Sequence, residues 1–342
     1  MENQKVEQDL LREVNRLSTR SLWMGVLFLL LIVMALFHLF NWNDYRLAPD
    51  TDGSGDDRTF ISHVEDFVME DFPDTEEGRS AAFGQKLIME TAKYLGPNNE
   101  YGEVYSGNHL SCNSCHLDGG TKAYAGSYVG LTGIFPMFSG RDGKVATLED
   151  RINGCFERSL NGQKLPKDSE EMVAIVSYMA HLSKNVRIGD RIDGQGFVEF
   201  TPPDRKANLR NGEQVFQAHC VACHQQDGQG IWKDDTQKSE GYIYPPLWGH
   251  DSYNDGAGMG RMLTASKFIK GNMPLGVDPL NPILTDEEVY DVAAYINSFD
   301  RPIKANKEKD YPDLTLKPKD SAYPPFADSI SPEQHKYGPY NF

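Results

Sequence analysis

The longest feature in the pattern of apolar and polar positions is not periodic. Leu22 to Phe40 (LWMGVLFLLLIVMALFHLF) runs for nineteen residues without a formal charge apart from the titratable His38. At helical rise such a run is roughly 28 Å long, close to the hydrocarbon thickness of a bilayer. A long polar stretch precedes it and no small-x-small cleavage site follows Phe40, which favours an uncleaved anchor over a removed secretory signal. Lys5, Arg12, Arg16 and Arg20 lie before the run, and Arg46 stands among Asp44, Asp50 and Asp52 after it. That asymmetry places the N-terminus in the cytoplasm and the remaining ~300 residues in the periplasm, so the expected location is the inner membrane, crossed once.

Beyond the run, Asn41 to about Thr75 is acidic and rich in turn formers, which reads as a tether. Helical periodicity begins at Gly78. Gly78 to Tyr94 carries Phe83, Leu87, Ile88 and Tyr94, and Asp168 to Lys184 carries Met172, Ile175, Val176 and Met179. Two similar segments recur at Leu209 to Ala218 and Thr285 to Phe299, the latter opening on Thr285 with Glu288 placed for a capping box. Met172, Ile175 and Tyr178 superpose on Val289, Val292 and Tyr295, so the chain reads as an internal repeat. No series of alternating strands appears, and the predicted class is all-α: two mostly helical domains in tandem after one transmembrane helix. The divisions are 1–20 (cytoplasmic), 21–41 (anchor), 42–75 (acidic linker), 76–186 (first domain), 187–207 (linker), 208–300 (second domain) and 301–342 (Pro-rich extension). The extension reads as irregular chain packed over the domains, His335 as a surface residue, and Gly256 to Gly260 as flexible loop.

Charge narrows the partners. With 50 Asp and Glu against 34 Lys and Arg, a net charge of -16 opposes nucleic-acid binding and attracts basic proteins. The five Cys are too few for a disulfide scaffold, and four fall in two Cys-x-x-Cys pairs.

Those pairs carry the chemistry, as Cys112-Asn113-Ser114-Cys115-His116 and Cys220-Val221-Ala222-Cys223-His224. Two thiols at this spacing form thioethers to the vinyl groups of a haem, and the adjacent His becomes the proximal iron ligand. By chance one such string arises in roughly one chain in several hundred, so two together specify two covalently bound haem c groups. A shared Zn site does not require His in the same place twice, and a redox dithiol lacks its βαβ context.

Each iron has a sixth position. In the second domain Met273 lies in a Gly- and Pro-flanked segment, Phe268-Ile269-Lys270-Gly271-Asn272-Met273-Pro274, and is the expected thioether ligand. Lys270 competes if deprotonated and is otherwise a solvated lysine; Met259, Met262 and His250 are weaker rivals. The first domain contains the unpaired Cys155, either a buried structural thiol or an iron ligand and nucleophile, with the cationic neighbours Arg151 and Arg158 favouring thiolate. Met137 and His109 are the alternatives there. Thiolate ligation would make the first haem the lower in potential, with electrons running toward the second.

These residues resemble the dihaem c-type thiosulfate dehydrogenases, from about Gly78 to the C-terminus. The resemblance rests on GNHLSCNSCH, RINGCFERSLNG, FIKGNMP and the closing RPIKANKEKDYPDL…EQHKYGPYNF. It implies two class I cytochrome c domains and oxidation of two thiosulfates to tetrathionate, or the reverse. It further implies His116 and Cys155 on an active-site haem, and His224 with Met273 on an electron-transfer haem, where Lys270 replaces Met273 in one redox state. Arg141, Arg151 and Ser159 match the family's substrate-holding residues by position. An electron-accepting protein, such as a small cytochrome or a membrane oxidase, is the implied partner. The tethered N-terminus departs from the many family members that look soluble after export. A plain tethered electron carrier, with Cys155 merely buried, is the rival reading.

Overall fold

The structure is a computed structural model that describes residues 16–17, 21, 23–34 and 59–342. It divides into two units, Met1–Asp57 and Arg58–Phe342. In the first unit residues 23–34 are helical, with Trp23, Phe28 and Leu29 each about two-thirds exposed. Among the described residues no helix is long and apolar enough to cross a membrane. Residues 22 and 35–41 of the expected span lie outside the described residues.

The second unit contains two helical domains built on the same crossing. In the first, α1 (Glu76–Met89) is capped by Thr75, whose side chain accepts from the Gly78 N–H, and Glu76 and Glu77 sit favourably at its positive end. After α2 (Leu148–Arg158), opened by a Thr147/Asp150 capping box, comes α3 (Glu170–Leu182), capped by Ser169. In the second domain, α4 (Leu209–His219) starts on Asn208 and is followed by α5 (Met262–Asn272). Its last helix, α6 (Asp286–Ser298), has the Thr285/Glu288 capping box read from the sequence.

Helices α1 and α3 cross where Gly84 meets the Ala174 carbonyl; a Cβ at Gly84 would lie 1.9 Å from that oxygen. Helices α4 and α6 cross in the same way at Gly212, where a Cβ would lie 2.1 Å from the Asp291 carbonyl oxygen. Tyr178 and Tyr295, which superpose in the sequence repeat, flank the two crossings. Backbone atoms cannot yield as a flexible side chain does, so Gly212→Ala is expected to lower stability by about 1–3 kcal/mol, read as a lower midpoint of chemical denaturation.

Several segments differ from their sequence reading. The chain is mostly helical rather than purely so: two short antiparallel ribbons occur, β1 (Met137–Ser139) with β2 (Lys144–Ala146), and β3 (Ile231–Trp232) with β4 (Tyr242–Tyr244). Strands of two or three residues are too short to alternate visibly. Residues 61–72, read as part of the tether, pack on the first domain: Val64 is 2% exposed, and Phe67 and Phe72 lie against its core. These apolar side chains are dispersed among acidic ones, which hid them. Residues 187–207 likewise dock, with Ile192, Val198 and Phe200 buried. His335 is 3% exposed rather than on the surface, stacked on Phe326 and bonded to the Lys319 carbonyl. It lies on α7 (Pro332–Tyr337), whose C-terminal Tyr337 carbonyl accepts from the Ala207 N–H and the Tyr290 hydroxyl. The Gly256 to Gly260 stretch is also ordered by packing, with Ala257 1% exposed.

Candidate active site

The first attachment motif begins as the turn Cys112–Ser114, closed by reciprocal bonds between Ser111 and Ser114. The buried Thr91 hydroxyl accepts from the Cys112 N–H at 3.0 Å, anchoring the turn to the end of α1. His116 donates from Nδ1 to the Gly126 carbonyl at 2.7 Å, leaving Nε2 as its free donor atom. Gly126 has φ 65°, and an added Cβ would lie 3.2 Å from His116 Nδ1, so this position suits glycine on both counts.

Facing His116 is Cys155, on α2. The His116 ring lies near enough to the Cys155 sulfur to influence it, and Arg151, one helical turn earlier, donates to that sulfur at 3.0 Å. Burial pushes this thiol up, but the Arg151 guanidinium and His116 outweigh it and bring the pKa down to about 6. Imidazole and thiolate therefore oppose one another beside the first Cys-x-x-Cys pair, which is the donor set a six-coordinate haem iron requires.

The second motif repeats this design. Cys220 ends α4, and the following turn Val221–His224 turns His224 so that Nδ1 donates to the Pro245 carbonyl at 2.8 Å. Burial pushes the His224 pKa down, which keeps the imidazole neutral as an iron ligand must be. A cavity of about 280 Å³ is lined by Cys220, Cys223, His224 and Met273. Met273 reaches it because α5 stops at Asn272: Met273 has extended backbone, φ -128° and ψ 141°, and leaves the helix there. Most of the segment read as a loop is thus the last turn of a helix. Lys270 is still inside that turn and is not brought to the cavity wall; its Nζ pairs with Asp286 at 2.6 Å and donates to the Glu199 carbonyl at 2.9 Å.

The rival ligands are placed elsewhere or serve the core. Met262 is 1% exposed in the core and Met259 lines the cavity, while Met137 and His250 are exposed. His109 is held by Asp251 at 3.0 Å and by Asn98 at 2.7 Å. Among the described residues no three His, Cys, Asp or Glu gather as a metal cage. Both sets fit haem c: paired thiols, an imidazole with its second nitrogen tied to a carbonyl, and a sulfur ligand on another element.

Of the expected substrate-holding groups, only Arg151 touches the Cys155 sulfur. Arg141 donates to the Gly256 carbonyl and to Asp310, and Arg158 donates to Asp310 at 2.8 Å. Ser159 caps α2; its N–H donates to the Cys155 carbonyl and its own carbonyl accepts from Asn108. Sequence reasoning missed Asp310, which takes both arginines and the Tyr323 hydroxyl. It also missed Asn254, which crosses from the second domain to bind the Glu157 and Arg158 carbonyls at the end of α2. No local pattern marks either residue.

Comparison with known proteins finds cytochrome c families over both domains. Residues 99–188 match the SoxA/TsdA cytochrome c domain family, and residues 209–300 match the cytochrome c family. A thiosulfate dehydrogenase of Psychrobacter arcticus is 43% identical over 240 residues, covering 70% of this chain and 69% of that protein. One from Allochromatium vinosum is 41% identical, covering 68% and 82%. The solved thiosulfate dehydrogenase TsdBA of Marichromatium purpuratum superposes with a TM-score of 0.62 at 32% identity over 69% of this chain. Only 49% of that solved chain is covered, so this chain spans about half its length. Two cytochrome c domains, each with its own attachment motif, carry two covalently bound haem c groups, and the chain belongs to the thiosulfate dehydrogenase family.

Proposed function

We propose that this protein oxidises two thiosulfate dianions to tetrathionate, a reaction that releases two electrons and is reversible in principle. The observation that carries the reading is Cys155: a thiol opposite His116, brought to about 6 by Arg151 and His116, in a chain whose other four thiols are committed to attachment. Haem c, when bound, supplies a one-electron acceptor in each domain.

Each of the chain's own groups has a task. Arg151 holds negative charge at the Cys155 sulfur, whether that of the thiolate or of an incoming dianion. Cys155 offers sulfur to sulfur, and Ser159 and Asn254 fix the helix end that carries it. Arg141 is held by the Gly256 carbonyl and by Asp310, the carboxylate that also pairs with Arg158 of α2. Met273 and His224 form the sulfur and nitrogen pair of the receiving site, with Lys270 three residues away as the alternative donor after breaking its pair with Asp286. Electrons run from the first domain to the second and then to a redox acceptor protein, a small cytochrome or a membrane oxidase. Ile243 and Leu275, both at the cavity and each 56% exposed, offer that partner an apolar rim.

Location is part of the same reading. The uncharged run Leu22 to Phe40, with its basic flank, supports a single membrane anchor and a periplasmic enzyme, and the described helix at 23–34 is apolar and exposed all round. Washing membranes with alkaline carbonate should leave the full chain in the pellet; release into the supernatant would remove the anchor.

The function is tested by supplying haem-loaded full chain with thiosulfate and an artificial electron acceptor and measuring tetrathionate. Turnover in neither direction, from protein holding both haems, would leave an electron carrier. Arg151→Gln should lower kcat/KM for thiosulfate by roughly 10- to 100-fold, the worth of a charge-assisted hydrogen bond. Steady-state kinetics checks this, with the haem content as control.

A further inference from the structure

The second domain reaches into the first through one loop. Asp251 holds His109, the Ser252 carbonyl accepts from Asn108 at 3.1 Å, and the Asn254 N–H donates to the Arg158 carbonyl at 3.1 Å. Tyr253, in the middle of this loop, is 7% exposed and belongs to the apolar core of the first domain, against which Cys112 also packs. It also lines the cavity of the second domain, whose wall contains Cys115 of the first motif beside Cys220 and Cys223 of the second. Tyr253 and cysteines of both attachment motifs therefore line one cavity.

A cation lies on that ring. The Arg301 guanidinium is 4.2 Å from the Tyr253 centroid, and it donates to the Ile296 carbonyl at 3.0 Å and to the Ser252 hydroxyl at 3.4 Å. These partners are neutral, and among the described residues Arg301 makes no ion pair with a carboxylate. Placed over an aromatic face and half-buried, such a charge acts on its neighbours. A positive charge favours the reduced, less positive state of a nearby redox centre.

We propose that Tyr253 and the Arg301 guanidinium form the junction between the two haem sites. Tyr253 is the positioning residue that fills the space between the two attachment motifs, and Arg301 holds the reduction potential of the adjoining haems up. The proposal deepens the functional reading above, since it assigns the route by which electrons pass from the first domain to the second.

Its test uses the full haem-loaded chain without thiosulfate, so it is independent of whether that substrate is turned over. Potentiometric titration, with the two haems distinguished by their spectra, should show Arg301→Gln lowering at least one midpoint by about tenfold in the one-electron equilibrium constant, or ~59 mV. Arg301→Lys keeps the charge and should recover most of the shift. Unchanged midpoints in Arg301→Gln, or the same fall in Arg301→Lys, would overturn the electrostatic role. For the junction itself, the rate of electron transfer between the haems after rapid partial reduction should fall at least tenfold in Tyr253→Leu and hold in Tyr253→Phe. An undiminished rate in the leucine variant, with both haems attached, would remove Tyr253 from the route.

Discussion

Cys155→Gly is expected to abolish thiosulfate oxidation, with a loss on the order of 10⁴-fold or more, while both haems stay attached. The two parts of this result rest on different residues. Attachment belongs to Cys112, Cys115, Cys220 and Cys223, none of which the substitution touches. The sulfur lost is the one that faces His116 and receives the Arg151 hydrogen bond at 3.0 Å. Without it Arg151 keeps its charge but has no sulfur to direct. A second glycine beside Gly154 weakens α2 by about 1 kcal/mol relative to alanine, so Cys155→Ala serves as the partner variant in which the helix is unimpaired. Tetrathionate formation and the absorbance of covalently bound haem are the two measurements. Near-normal turnover in either variant would make Cys155 a structural thiol.

How much of this was legible in the chain depends on the range of the interaction. The attachment motifs and the Thr285/Glu288 cap are local, written within five residues, and the structure has both where the spacing puts them. Cys155 was visible by subtraction, as the thiol left over. Met273 and Lys270 could not be separated by sequence distance alone, because the helix end falls between them and only the residue past it turns to the cavity. The acidic segment around Val64 and Phe72 concealed a docking segment, since charge dominates its composition while three or four apolar side chains do the packing. Least legible were the contacts between distant segments. Asn254 meets Glu157 across 97 positions, and Arg158 meets Asp310 across 152, with nothing in either neighbourhood to announce the other.

That last contact gives the largest expected effect on stability. Asp310 is 6% exposed in the C-terminal extension and accepts from Arg158 at 2.8 Å, from Arg141 at 3.3 Å and from the Tyr323 hydroxyl at 2.8 Å. Asp310→Ala leaves Arg158, itself 9% exposed, as a buried cation without its partner, and should cost about 3–5 kcal/mol. Asp310→Asn retains an acceptor for Tyr323 but not the charge, and should fall between alanine and the native residue. The pH dependence has a definite sign. Burial pushes the Asp310 carboxyl up, but Arg158, the Tyr323 hydroxyl and Arg141 outweigh it and hold it below the ordinary carboxylate range. A depressed folded-state pKa contributes stability that is fully present above about 3.9, the unfolded value, and lost as pH falls through the lower folded value. Denaturant unfolding of wild type and Asp310→Ala should therefore differ most at neutral pH, and the gap should narrow in acid. Because Arg158 closes the helix that bears Cys155, the variant should also broaden the spectrum of the first haem while sparing the second. Equal stability at neutral pH would mean that the extension is held by its apolar contacts, Tyr311 and Tyr323, and that the buried ion pair is incidental to it.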